Sequence, residues 1–357
     1  MMKTRLQLAA FFLLVSVLSP FSIIAQAPAG YYNSANGLTG TPLRLALHNI
    51  IDNHTVKSYD FLWTAFKTTD DKPNGKVWDM YSDKPSGTPA YEYTFGSDQC
   101  GNYSGEGDCY NREHSWPKSW FNDASPMVSD MFHLYPTDGY VNGKRSNYPF
   151  GEVGSASWTS TNGSKLGSCS YPGYSGTVFE PIDQYKGDFA RTYFYMCTRY
   201  YTEDGSWQSN GMVDGANLEP WAAKMLLEWH HNDPVSQKEI DRNNTVYGFQ
   251  NNRNPFIDHP EWADYIWDPN VGIEDGSSKV VVSIYPNPCT TSATIAAPFK
   301  MDGSSLTVSS FDGRTLHVEY SVVDDKVVLD TATLPNGVYL ITIADNKSVA
   351  TAKLVKR

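Results

Sequence analysis

Behind Thr41-Pro42, the apolar residues Leu43, Ala46, Leu47, Ile50 and Ile51 recur every three or four positions. That spacing predicts a helix with one buried face, Thr41 as its cap and Pro42 in its first turn. Asp188 to Tyr201 is rich in aromatics and predicts a buried helix, and Trp221 to His230 predicts another. Ser236 to Asn244 predicts a third, opening on Ser236 with Glu239 three residues on, the pattern of a capping box. Val77 to Tyr81 and Ala90 to Phe95 are short runs bounded by Pro, Gly and Asp, and predict strands. Near Val271 to Lys279 the texture becomes polar, as in a linker. Beyond it β-branched residues dominate. Val280 to Val282, Leu306 to Val308, Val327 to Leu329 and Val338 to Ile343 read as strands separated by Gly, Asp and Pro turns. The expected class is α+β: a mixed helix and strand domain at 26–272, a linker at 273–280, and a small immunoglobulin-like β-sandwich at 281–357.

The N-terminus has a different pattern. Lys3 and Arg5 precede an almost wholly apolar run from Leu6 to Ile24, and small residues follow at Ala25 and Ala27. This is the layout of a secretory signal at 1–25, cut after Ala25. A membrane anchor fits less well, because Ser16, Ser19, Pro20 and Ser22 interrupt the run. No other stretch approaches the ~18 to 20 apolar residues of a span, so no stable membrane span is expected.

Composition adds three points. With 40% hydrophobic and 14% aromatic residues, a sizeable core is available. The five cysteines are Cys100, Cys109, Cys169, Cys197 and Cys289, and export permits disulfides. Cys100 with Cys109 is the favoured pair; a zinc site is the rival, but the chain has no C-x-x-C. The net charge of −11 argues against a surface that holds nucleic acid by neutralising phosphates. A bound divalent cation would supply local positive charge that this count omits.

Two runs carry the chemistry. One is Cys109-Tyr110-Asn111-Arg112-Glu113-His114-Ser115-Trp116-Pro117; the other extends from Ser129 through Asp138 and Val141-Asn142-Gly143-Lys144-Arg145-Ser146-Asn147. Phosphodiester hydrolysis needs a group to deprotonate water, and positive charge for the transition state and the departing oxygen. A neutral histidine suits the first task, and a divalent cation the other two. Mg²⁺ takes oxygen ligands and often only one or two protein groups. Glu113 and Asn142 offer one anionic and one neutral oxygen. Neighbours on a regular strand point to opposite faces, so Glu113 and His114 can serve one site only from a strand end or bulge. Thr137 is a candidate helix cap, which would place Asn142 early in a short helix with Arg145 three residues on along the same face.

These two runs resemble the endonuclease I family, which carries a ββα-metal (His-Me) finger. Lys186 to Met196 and Asn251 to Trp262 fit as well, and the resemblance spans about Leu43 to Trp267. It implies a secreted, metal-dependent nuclease of low sequence preference that acts on DNA, RNA or both. It further implies His114 as general base, and Glu113 and Asn142 as metal ligands. The implied metal is Mg²⁺, with Mn²⁺ or Ca²⁺ as alternatives. The chain departs from the family in two places. Phe132 stands where many members have a first histidine, leaving His133 without an assigned role. The insertion that bears a phosphate-stabilising arginine in some members is short here. By chemistry alone Arg145, Arg112 and Arg191 are candidates for that task. Arg145 is placed with the catalytic set; Arg112 and Arg191, with His133, are placed with substrate binding.

Ser283-Ile284-Tyr285-Pro286-Asn287-Pro288, Asp312-Gly313-Arg314 and Leu334-Pro335-Asn336-Gly337-Val338-Tyr339 resemble the C-terminal sorting domain of type IX secretion cargo. That implies passage through the periplasm, export, and contact with the secretion and sorting machinery. The competing reading is a secreted carbohydrate-binding or carbohydrate-active protein, suggested by the aromatic content, the acidity and the appended β domain. Glycosidase chemistry needs two carboxylates across a cleft, and no such pair stands out. A zinc protease is a third reading and lacks H-E-x-x-H.

Overall fold

The computed structural model of the chain describes residues 27–268, 282–296, 305–310, 314–323, 326–344 and 349–357. The chain divides into two compact units, Met1–Gly272 and Ile273–Arg357. The expected signal at 1–25, the linker at 273–280 and the strand residues Val280 and Val281 lie outside the described residues.

The first unit runs α1 (Gly40–Ile51), α2 (Leu62–Thr69), β1 (Tyr110–His114), β2 (Leu134–Asp138) and α3 (Gly139–Arg145). It continues with β3 (Val153–Thr159), β4 (Lys165–Cys169), β5 (Thr177–Glu180), α4 (Lys186–Arg199), and the short pair β6 (Val213–Asp214) and β7 (Asn217–Leu218). It closes with α5 (Pro220–Asn232), α6 (Gln237–Gln250), α7 (Pro255–Asp258) and α8 (Trp262–Trp267). The first helix arises where expected, but its N-cap position is Thr39 rather than Thr41, and the Thr39 side chain makes no capping hydrogen bond. A glycine precedes Pro42 in its first turn, and the fixed φ of Pro42 suits that turn.

Helix α4 is the centre of the unit, with all 14 of its residues buried. A helix surrounded on every side needs an apolar or paired residue at every position. Phe189 and Phe194 pack against Phe150 and Trp267, with ring centroids 4.8 Å and 4.4 Å apart. The polar residues are paired instead. Arg191, fully buried, forks onto Glu239 of α6 at 2.5 Å and 2.8 Å, and its Nη1 donates to the Asp233 carbonyl. Gly187 is required at the start of α4, because a Cβ there would lie 2.0 Å from the Asp233 carbonyl oxygen.

Helix α6 opens on the expected capping box. Ser236 accepts from the Glu239 amide, and the Glu239 carboxylate accepts from the Ser236 amide. The same carboxylate holds Arg191. Ser236→Ala is therefore expected to lower stability by about 1 kcal/mol, read from urea unfolding. An unchanged midpoint would mean that the Arg191 pair alone holds Glu239.

Two expected strands do not form. Residues 77–81 and 90–95 form no ladder, and contribute a bridge between Asp71 and Val77 and isolated backbone hydrogen bonds such as those from the Val77 amide to the Tyr93 carbonyl and from the Trp78 amide to the Asp70 carbonyl. Their apolar residues serve a different purpose: Val77, Tyr93 and Tyr110 form a small cluster beneath β1. The expected bridge between Cys100 and Cys109 is present, and Cys169, Cys197 and Cys289 are free.

The second unit is all β. One sheet has the order β11-β10-β14-β15 (Thr315–Leu316, Ser305–Ser310, Gly337–Ala344, Val349–Lys356). The other has the order β12-β13-β9-β8 (Tyr320–Val323, Lys326–Asp330, Ser292–Ala296, Ser283–Tyr285). Ile295, Val327 and Leu329 of one sheet and Val308, Ile341 and Leu354 of the other share a single core, as in a sandwich.

Candidate active site

Strands β1 and β2 pair antiparallel, with Glu113 opposite Tyr135 and His114 opposite Leu134. They form a two-stranded sheet, so Pro136 sits where no third strand needs its missing amide. Strand β2 runs directly into α3. The cap is Asp138, whose Oδ1 accepts from the Val141 amide, and not Thr137 as expected. Thr137 is still a β2 residue, buried opposite Asn111. Asp138 Oδ2 accepts from the Tyr93 hydroxyl and the Gly107 amide, at 2.6 Å and 2.8 Å. The disulfide-closed loop thus holds the start of α3.

Helix α3 lies along one face of β1. Residues two apart on a strand share a face, as do residues three apart on a helix. Asn111 and Glu113 meet Asn142 and Arg145 in that way. Asn142 Nδ2 donates to Asn111 Oδ1 at 2.8 Å, and Arg145 Nη1 lies 3.2 Å from Glu113 Oε1. Glu113 is 2% exposed, and Tyr81 donates its hydroxyl to the same Oε1 at 2.9 Å. Burial pushes the Glu113 carboxyl up to about 7, with Arg145 and Tyr81 pulling the other way.

Arg145 is 1% exposed. Its Nη1 donates to the His114 carbonyl at 2.9 Å and its Nη2 to the Ser115 carbonyl and the Tyr193 hydroxyl. Tyr193 donates to the Ser115 carbonyl as well. One buried guanidinium therefore ties the carboxylate of Glu113 to the backbone that leaves β1.

His114 is the last residue of β1 and turns to the other face, as a strand end permits. Its ring stacks on Tyr59, with centroids 5.7 Å apart and planes at 23°, and packs against Phe121 and His133. Its Nε2 lies 3.1 Å from the Val128 carbonyl. A carbonyl only accepts, so the proton resides on Nε2 and the Nδ1 lone pair is left to take another. Burial holds the imidazole well below its ordinary range, and His133, Lys118 and Arg112 add to this while the Val128 carbonyl opposes it. The ring is therefore neutral near pH 7.

The remaining expected residues are placed as follows. Arg112 is partly exposed; its guanidinium lies 3.6 Å from the Tyr59 ring centroid and 4.5 Å from that of Trp63, and Nη1 donates to the Tyr59 carbonyl. Tyr59 thus stands between Arg112 and His114. His133 is buried, its Nε2 2.7 Å from the Met127 carbonyl, and borders His114 from within. Arg191 pairs with Glu239, Asp233 and His230, outside this cluster. Asn111, Tyr81 and Tyr59 belong to the site but were not legible beforehand. Of these only Asn111 had a signal, at two residues from Glu113.

Tyr103, in the loop closed by the disulfide, lies flat on α3. A Cβ on Gly139 would meet its ring at 2.6 Å and one on Gly143 its hydroxyl at 2.5 Å. Glycine is a poor helix former, and here two of them one turn apart make room for a ring.

Residues 39–261 match the family model described as endonuclease I, and residues 283–357 match that of the secretion system C-terminal sorting domain. The chain is similar to an extracellular ribonuclease of Bacillus amyloliquefaciens, 40% identical over 66% of this chain and 78% of that protein. It is also similar to an extracellular ribonuclease of Bacillus subtilis (strain 168), 38% identical over 71% and 83% respectively. A periplasmic deoxyribonuclease of Aeromonas hydrophila is 29% identical over 37% of this chain and 48% of that protein.

Proposed function

The chain belongs to the endonuclease I family and is a secreted hydrolase of nucleic acids, and on that premise we propose that it is a metal-dependent, non-specific endonuclease of RNA and DNA working through a ββα-metal finger formed by β1, β2 and α3. The observation that carries this reading is the packing of α3 on the β1 face of Asn111 and Glu113, where Asn142 bonds Asn111 and Arg145 reaches Glu113, with His114 ending the same strand. Its mature chain begins after Ala25 in this reading, and the sorting domain hands it to the secretion machinery. Family membership sets aside the carbohydrate-active alternative.

The donor set fits Mg²⁺, with Mn²⁺ or Ca²⁺ as substitutes. Both described contacts of Glu113 fall on Oε1, leaving Oε2 for a cation. Asn142 spends its Nδ2 on Asn111, which orients Oδ1 as the neutral ligand. A bound cation supplies positive charge to the phosphate and the departing oxygen. His114 Nδ1 takes a proton from the attacking water while Nε2 stays on the Val128 carbonyl. Arg145 is buried, and its Nη1 and Nη2 are spent on the His114 and Ser115 carbonyls, Glu113 and Tyr193, so its part is to position Glu113 and the end of β1. Arg112, beside His114 and partly exposed, is better placed to meet a phosphate. His133 supports the His114 ring, and Arg191 holds α4 to α6.

Degradation of RNA and plasmid by the full chain should be abolished by EDTA and restored by Mg²⁺; activity indifferent to EDTA would overturn the metal assignment. The raised carboxyl of Glu113 adds a pH signature. Its folded value of about 7 lies above the ordinary 4.5. The metal-free fold is thus favoured below about pH 4.5 and loses stability as pH rises toward 7. Metal binding needs the carboxylate, so Mg²⁺ affinity should rise about tenfold per unit up to about pH 7 and level off above it. Calorimetric titration across that range checks this; a flat affinity would exclude Glu113 as ligand.

A further inference from the structure

We propose that the rings of Tyr103, Tyr140 and Trp158, with the ammonium of Lys144, form a shelf beside Asn142 that takes unpaired bases of the nucleic-acid strand, so that single-stranded segments are the preferred substrate. This rests on the nuclease reading of the Glu113 and His114 site and names what that site prefers. The three rings follow one another across α3 onto the sheet of β3, β4 and β5. Tyr103 and Tyr140 have centroids 6.3 Å apart, and Tyr140 and Trp158 6.4 Å. Tyr140 and Lys144 are one helical turn apart on α3 and bracket Asn142 in sequence. Lys144 Nζ stands 5.1 Å from the Tyr140 centroid and 6.0 Å from that of Trp158, and it makes no ion pair among the described residues.

Most of the other tryptophans are placed differently, although Trp63, Trp78 and Trp267 are half-buried as Trp158 is. Trp116, Trp120, Trp207, Trp221, Trp229 and Trp262 are buried. Tyr103 is exposed, while Tyr140 and Trp158 are half-buried. Trp158 lies on β3, the edge strand of its sheet, where residues 154–157 are exposed. Gly139 and Gly143 keep the Tyr103 ring pressed against the helix that bears Asn142.

Charge decides how such a shelf would work. With a net charge of −11, the chain has little to gain from neutralising phosphates. Stacking on an aromatic face needs no positive surface and tolerates any base, but the base must be free of its pair. One ammonium beside two of the three rings suits a stacked single strand with a nearby phosphate.

The test is fluorescence anisotropy of the full-length protein in EDTA, with labelled oligouridylate, oligothymidylate, and oligothymidylate annealed to oligoadenylate. Both single strands should bind alike, since the shelf meets bases rather than sugars, and the duplex about tenfold more weakly. Trp158→Ala and Tyr140→Ala should each weaken single-strand binding by about tenfold, and Trp158→Tyr should restore most of it. Lys144→Gln and Tyr103→Ala, which leave the core untouched, carry the test if either ring variant fails to fold. Variants that bind like the parent, a duplex that binds as well, or an absolute need for the 2′-hydroxyl would overturn the shelf. Adding Mg²⁺ then separates the two readings. A parent protein that binds single strands but cleaves none overturns the nuclease site alone. One that cleaves, with all variants unaffected, overturns the shelf alone.

Discussion

His114→Ala is expected to lower hydrolysis of RNA and DNA by roughly 10²- to 10⁴-fold, the range for loss of a positioned general base. The imidazole is prepared for this task by its surroundings. Burial keeps it neutral, the Val128 carbonyl fixes the proton on Nε2, and Tyr59 fixes the ring plane. The ring is buried, so alanine leaves a cavity, and His114→Gln serves as the fuller replacement. Single-turnover rates at saturating Mg²⁺, beside thermal melts, separate lost chemistry from lost fold. A folded variant within tenfold of the parent rate would remove His114 from the role of base.

Arg145→Leu is expected to destabilise the protein by about 3–5 kcal/mol, the effect of removing one partner from a buried ion pair. Glu113 would remain beneath α3 with only the Tyr81 hydroxyl, the His114 carbonyl would lose the guanidinium, and the Ser115 carbonyl would keep only the Tyr193 hydroxyl. The same change takes away the main force that favours the Glu113 carboxylate, so Mg²⁺ binding should move to higher pH. Arg145→Lys should rescue charge but not geometry, because an ammonium cannot fork between two carbonyls and a carboxylate. Denaturant unfolding and Mg²⁺ titration measure the two effects. A leucine variant as stable as the parent, with unshifted metal affinity, would show the guanidinium to be incidental.

Much of this was legible in the chain because it depended on near neighbours. The capping box of α6 needs only Ser236 and Glu239, and the disulfide needs only two cysteines nine residues apart. The short helix bearing Asn142 and Arg145 was legible too, although its cap is Asp138 and not Thr137. The failures came where distant packing overrides local pattern. Val77 and Tyr93 look like strand residues, yet their apolar side chains are spent on Tyr110 rather than on a ladder. Tyr81 reaches Glu113 from a stretch with no distinguishing mark, and Tyr59 reaches His114 from before α2. Arg191 looked as eligible for phosphate as Arg112. Only the fold shows that a complete α4 buries one against Glu239 and leaves the other beside His114.

The acidity of the chain bears on this site as well. Arg145 matches Glu113, Arg112 and Lys118 near His114 pair with the exposed Asp60 and Asp123, and Lys144 on α3 has no ion pair among the described residues.

Asn111, Glu113, His114, the Val128 carbonyl, Asn142 and Arg145 all fall within one continuous stretch of the chain, residues 111–145. Heredity can therefore move the chemistry as a block. A crossover on either side of that stretch would carry the proposed base, the proposed ligands and the arginine that positions Glu113 together into a new protein. Outside it, the phenols of Tyr59, Tyr81 and Tyr193 brace the proposed site directly, while Tyr93, Arg242 and Gln250 hold the rest of the stretch in place.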